Sequence, residues 1–118
     1  MPQTLFELCK NKQIEGFVAA HSLSNMFYIL RKDLSNEERR EFLLDICSIF
    51  SICGIDKQKI VSALKNKAFE DFEDFEDGLQ HECAVSEYLE AIITRNKDDF
   101  ASSMIPVYSA EEFIEMYL

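Results

Sequence analysis

Only three glycines punctuate the 118-residue chain, so no Gly-rich loop is present to cradle a nucleotide phosphate. No Ser-His-Asp order is visible either, and His21 and His81 have neither a nucleophile nor a metal-spaced partner nearby, which assigns them structural roles. Basic residues are scarce: 12 Lys and Arg stand against 22 Asp and Glu, a formal charge of −10. That balance argues against a protein that grips nucleic acid by a broad basic surface. Any contact with RNA then needs a bound cation or a basic partner to offset the repulsion. No apolar run approaches the roughly 18 residues of a membrane span, and the first residues lack the basic and apolar regions of a signal peptide. No membrane partner and a cytoplasmic location are expected. The four cysteines, Cys9, Cys47, Cys53 and Cys83, form no C-x-x-C pair. They read as reduced core filler, with Cys9 and Cys47 on apolar helix faces.

What is present reads as one globular domain over residues 1–118, with 47% apolar and 29% charged residues and enough length to bury about two-thirds of its unfolded surface. Leu5, Phe6, Leu8 and Cys9 mark an amphipathic helix within residues 3–12. The run Gly16-Phe-Val-Ala-Ala20 suits a buried strand. A helix follows through Leu23, Met26, Phe27 and Leu30, with Ser22 or Ser24 as its cap. The next opens at Asn36-Glu37-Glu38 and buries Phe42, Leu43, Ile46, Cys47 and Phe50. The stripe Phe27, Leu30, Phe42, Ile46 and Phe50 reads as core or as a self-association surface. Residues 51–54 form a short edge strand, Asp56 caps a helix through Ile60, Val61 and Leu64, and another helix runs from about Asp74 to Tyr88. Strands at 91–94 and 106–108 come next, and Ser109 with Glu112 forms a capping box for the last helix. Strands alternating with helices predict an α/β fold with a parallel sheet.

Ligands of such sheets gather beyond the carboxyl ends of the strands, where Asn25, Asn96 and Asp99 fall. Asp77, in the first turn of the helix before the 91–94 strand, joins them at the same rim. Carboxylates there are hard oxygen donors, suited to Mg2+ or Mn2+ acting on phosphate. Each also has a bland explanation. Asp74 and Asp77 have the spacing of a helix cap and its first-turn acid, Asp98 and Asp99 could cap the turn after a strand, and Asn25 could serve the helix start. Glu70, Asp71, Glu73, Asp74 and Glu76 read as a solvated acidic face.

The segments Phe17-Val-Ala-Ala-His-Ser-Leu-Ser-Asn-Met-Phe-Tyr-Ile-Leu-Arg-Lys32, Asp74-Phe-Glu-Asp-Gly-Leu-Gln80, Ile92-Ile-Thr-Arg-Asn-Lys-Asp-Asp-Phe100, Ile105-Pro-Val and Glu111-Glu-Phe113 together resemble PIN-domain proteins. These are small Mg2+-dependent nucleases, many of them RNA-cleaving toxins of toxin–antitoxin pairs. The resemblance implies a PIN-like three-layer α/β fold, a short parallel sheet flanked by helices. It implies Asp77 and Asp99 as catalytic residues and metal ligands, Asn96 as a further ligand, and Thr94 and Asn25 in support. Asn25 stands where the family has an acidic residue, so one carboxylate is replaced by a neutral amide.

The family's first strand, which is central to the sheet and carries the first acidic ligand, has no counterpart, because Met1-Pro-Gln3 already falls in the helix that should follow it. A shortened reading frame is the expectation, with the gap closed by sheet rearrangement or by self-association. The implied function is a Mg2+- or Mn2+-dependent endoribonuclease of weak or lost activity, with RNA substrate, antitoxin protein and homo-oligomer as its partners. The alternative is a catalytically inactive, self-associating interaction module.

Overall fold

The computed structural model describes residues 3–65, 75–100 and 103–117. Helix α1 (Gln3–Lys10) leads to strand β1 (Phe17–Ala19), helix α2 (Ala20–Ile29), a 3-10 turn (Leu30–Lys32), helix α3 (Asn36–Ile49) and strand β2 (Ser51–Cys53). Helices α4 (Lys57–Lys65) and α5 (Phe75–Ser86) follow. Strand β3 (Ile92–Ile93), a second 3-10 turn (Lys97–Phe100), strand β4 (Val107–Tyr108) and helix α6 (Ala110–Tyr117) complete the order. This is the α/β alternation that the sequence predicts. The expected helix start at Asp74 and the acidic residues Glu70, Asp71 and Glu73 lie outside the described residues.

Among the described residues the strands form two parallel pairs, β1 with β2 and β3 with β4, and no ladder joins the pairs. Phe17 stands opposite Ser51 and Ala19 opposite Cys53, while Ile92 faces Val107 and Ile93 faces Tyr108. The Ser51 N–H donates to the Gly16 carbonyl at 2.9 Å. Because backbone groups alternate in direction along a strand, Gly16 and Val18 turn theirs toward β2, and Phe17 and Ala19 turn theirs to the opposite edge. In the second pair the Ile92 N–H donates to Pro106 (2.9 Å) and the Thr94 N–H to Tyr108 (3.0 Å), which leaves Ile93 directed away from β4.

Helix starts follow local chemistry. At α3 the Ser35 hydroxyl accepts from the Glu38 N–H (3.1 Å) and the Glu38 carboxylate accepts from the Ser35 N–H (2.9 Å). Ser109 and Glu112 repeat this box at α6, and Asp56 accepts from the Lys59 N–H at the start of α4 (2.9 Å). At α2 the expectation of a Ser22 or Ser24 cap fails. The strand passes into the helix without a loop, Ala19 takes the cap position with no side-chain bond, and both serines fall inside the helix. Helix α1 stops where Lys12 enters the left-handed region (φ 61°), letting the Gln13 N–H return to the Leu8 carbonyl at 3.0 Å.

Among the described residues two small buried clusters hold these elements. Cys9, Ile46 and Phe50 are buried together against Phe6, Val18 and Leu23, with the Phe6 and Phe50 rings edge to face at 5.9 Å. Ala19, Cys53 and Cys83 form the second core, which seats α5 on the β1–β2 pair. All four cysteines are free thiols. Cys47, expected inside, is exposed: a helix turns about 100° per residue, so with Ile46 buried its neighbour points away. Phe42, from the same expected stripe, is also exposed.

Gly16 sits at the tightest point. A Cβ there would lie 2.6 Å from the Phe50 ring and 2.7 Å from the Cys9 sulfur. Gly16→Ala is therefore expected to lower unfolding free energy by about 1–3 kcal/mol, measurable as a lower denaturation midpoint. Ser35→Ala, which removes one side of the α3 capping box, should cost about 1 kcal/mol in the same assay.

Candidate functional site

Three of the five predicted site residues lie in one turn at the carboxyl end of β3. Thr94 ends the ladder, and its hydroxyl accepts from the Asn96 N–H at 3.1 Å. Asn96 then donates through Nδ2 to Asp99 Oδ2 at 2.8 Å, and the Asp99 N–H returns to the Asn96 carbonyl at 3.1 Å. The turn is thus clipped from both sides, and the buried Phe100 anchors its far end. Asn96 Oδ1 and Asp99 Oδ1, the oxygens outside that mutual bond, belong to exposed side chains.

Sequence reasoning missed Lys97, which belongs to this turn. Its ammonium lies 2.9 Å from one Glu112 oxygen and 3.1 Å from the other, fastening the turn to α6. Glu112 also caps α6, and bonding to the Ser109 backbone N–H, followed by Lys97, holds its carboxyl below the ordinary range. The Ser109/Glu112 capping box was legible, but the lysine fifteen residues earlier carried no local signal.

Asp77 occupies the first turn of α5, half-buried, where a carboxylate also suits the helix dipole. Helix α5 packs against α4 and against β1, the strand after which Asn25 follows. Asn25 lies half-buried one turn into α2, just beyond the carboxyl end of β1. These donors are hard oxygens, which matches a divalent ion such as Mg2+ or Mn2+ in kind. In number they fall short of a closed cage: among the described residues no three His, Cys, Asp or Glu side chains stand together as a metal site.

His21 shares the Asn25 face of α2, four residues earlier. Both its ring nitrogens are buried and without hydrogen-bond partners among the described residues, an arrangement that costs free energy. His81, only 1% exposed, accepts at Nε2 from the Met104 N–H at 3.2 Å, so the neutral ring carries its proton on Nδ1. Burial pushes its pKa down. It lines a cavity of about 430 Å³ between α4 and α5 with Val61, Lys65, Val85 and Met104, and none of the predicted site residues borders this space.

The thiol of Cys83 is pushed up to about 12, first by burial and then by its hydrogen bond with Cys53. That keeps it protonated and unreactive at neutral pH, as expected of core filler.

Two measurements follow from the histidines. Unfolded, His81 titrates near its ordinary value of 6.5, whereas the folded value is lower. Below pH 6.5 the unfolded chain therefore binds more protons, and stability should fall as pH drops from about 7 toward 5, above the main carboxylate range. Denaturation midpoints across that window check it. His21→Leu, which removes two orphaned buried nitrogens, should raise unfolding free energy by about 1 kcal/mol; a clear loss would show that the ring is bonded in solution.

The PIN domain family model matches residues 1–98, a span containing both parallel strand pairs' first members, Asn25, Asp77, Thr94 and Asn96, and ending one residue before Asp99. No curated protein and no solved structure matches the chain. The match covers most of the 118 residues, and the short parallel strands flanked by helices are consistent with it. The chain belongs to the PIN domain family.

Proposed function

We propose that this PIN domain is a divalent-metal-dependent endoribonuclease, of low activity in the form described by this sequence, of the kind found as the toxin of toxin–antitoxin pairs. The observation that carries the reading is the family match over residues 1–98 together with the clipped Thr94-Asn96-Asp99 turn at a parallel strand's carboxyl end. Asp77 and Asp99 would hold Mg2+ or Mn2+ with Asn96 beside them, and Asn25 and Thr94 in support. Bound there with substrate phosphate completing its shell, such an ion supplies a water of lowered pKa and charge stabilisation for the leaving oxygen.

The chain's own part is positional. Asn96 holds Asp99 through its amide N–H, which keeps one carboxylate oxygen oriented by a 2.8 Å bond. The Lys97–Glu112 pair fixes the turn against α6. Asn25 contributes an amide oxygen without charge, so the site carries less negative charge than a set of three carboxylates, and weaker ion binding is the consequence. Cytoplasmic location and an antitoxin partner are part of the same proposal. The described residues contain no helix long and apolar enough to cross a membrane.

A second reading is favoured by the two unjoined strand pairs and by the net charge of −10: a catalytically inactive interaction module that self-associates. The outward-turned backbone groups of β1 and β3 are sheet edges, and edges template pairing. In a two-fold dimer, like edges would meet antiparallel.

The two readings separate in one pair of assays. With single-stranded RNA and Mg2+ or Mn2+, the endoribonuclease reading expects cleavage that Asp77→Asn and Asp99→Asn each slow by about a hundredfold, the scale of losing one transition-state contact. Cleavage unchanged by both substitutions removes them from the site. Light scattering on the same samples should show a dimer or larger assembly if the strand edges pair, and a clean monomer would remove the self-association proposal.

A further inference from the structure

The corner between α2 and α3 is the feature of this acidic chain that the proposed site leaves unused. Three of the chain's four arginines, Arg31, Arg39 and Arg40, stand there with Lys32. Two of them lie over aromatic rings. The Arg31 guanidinium is 3.7 Å from the centre of the Tyr28 ring and donates to the Tyr28 carbonyl at 2.8 Å. Arg39 lies 4.2 Å over Phe27 and donates to the Phe27 carbonyl at 2.8 Å. Among the described residues no carboxylate pairs with any of these four cations. Tyr28 is 62% exposed, so much of its ring surface remains open.

Four acids, Asp33, Glu37, Glu38 and Glu41, share residues 31–41 with these four cations, so the corner is neutral overall while the rest of the chain carries the whole excess of ten negative charges. Glu38 is turned back onto Ser35, and Glu37 and Glu41 fall on the face of α3 opposite the buried Ile46, whereas Arg39 shares the Ile46 side. The corner also lies at the far end of α2, the helix that carries Asn25. Helix α2 leaves the carboxyl end of β1, and the 14-residue α3 spans about 21 Å on its way back to β2. The three-residue strands cover only about 10 Å, so α3 is about twice as long as the strand it leads into.

Resting on the endoribonuclease reading, we propose that this corner docks single-stranded RNA: Arg31 and Arg39 contact backbone phosphates and Tyr28 stacks on a base. Guanidinium forks suit phosphate oxygens, and stacking on a ring already fixes their planes. Aromatic rings beside cations are the platform that single strands use. In a chain with ten excess negative charges, a polyanion can approach closely only where cations lack carboxylate partners. The −10 total therefore narrows the approach to a few places instead of ruling it out.

The test is fluorescence anisotropy of a labelled oligouridylate with the full chain, at low salt and in EDTA, so that binding does not depend on a divalent ion. Tyr28→Ala and Arg31→Glu are expected to weaken binding about tenfold each, and Arg31→Glu to flatten the salt dependence by about 0.7 in slope. Arg39→Lys, which keeps the charge and loses the stacked fork, should weaken it less. Lys57→Glu, the same charge change on α4, should leave it unaltered, and circular dichroism verifies that each variant is folded. Binding unchanged in Tyr28→Ala and Arg31→Glu overturns the corner while leaving the nuclease reading in place. An Arg31→Glu variant that only alters oligomer size shows a self-contact and overturns it too. Wild-type protein that neither binds nor cleaves RNA overturns both proposals.

Discussion

Strands of two and three residues cannot stand alone, and everything else in this molecule depends on how helices hold them in pairs. A parallel ladder this short contributes only a few hydrogen bonds. Its geometry comes instead from side chains pressed on it: Phe50 against Gly16, Cys83 of α5 against Ala19 and Cys53, and Val18 under the Cys9–Ile46–Phe50 cluster. Close approach at Gly16 brings the chain entering β1 onto the end of α3, which sets the register that pairs Phe17 with Ser51. The same packing fixes where β1 ends, and so where α2 begins and where Asn25 is carried.

Pairing also explains the electrostatic character of the molecule. Helix starts take up carboxylates as caps at Glu38, Asp56 and Glu112, and the exposed acids have few cations to meet. Lys97 is committed to Glu112, and the stacked arginines of the α2–α3 corner are held by aromatic faces and carbonyls. The acidic chain thus carries its whole excess of negative charge outside the α2–α3 corner, where four cations and four acids balance.

Much of the fold was legible because periodicity and capping are local. The strands at Phe17, Ser51, Ile92 and Val107, the Ser109–Glu112 box and the Asp56 cap all follow from neighbouring residues. The start of α2 departs from local expectation because a strand running straight into a helix leaves no cap position for serine to fill. Cys47 and Phe42 stand outside because the apolar stripe of α3 holds more residues than one helix face can bury. At the site, the residue types and the turn after β3 were readable from Thr94-Arg-Asn96 and Asp99. The Lys97–Glu112 link and the orphaned ring of His21 depend on tertiary neighbours, and no spacing announces them. That the four described strands form two pairs instead of one sheet is likewise a matter of which edges meet in space.

The proposed nuclease site requires Asp77 and Asp99, far apart in sequence, to serve one divalent ion. Calorimetric titration with Mn2+, on the wild-type chain and on a double Asp77→Ala, Asp99→Ala variant shown by circular dichroism to be folded, tests this most directly. Saturable binding in the wild type that disappears in the double variant is the predicted result, and identical binding curves for the two proteins would contradict it.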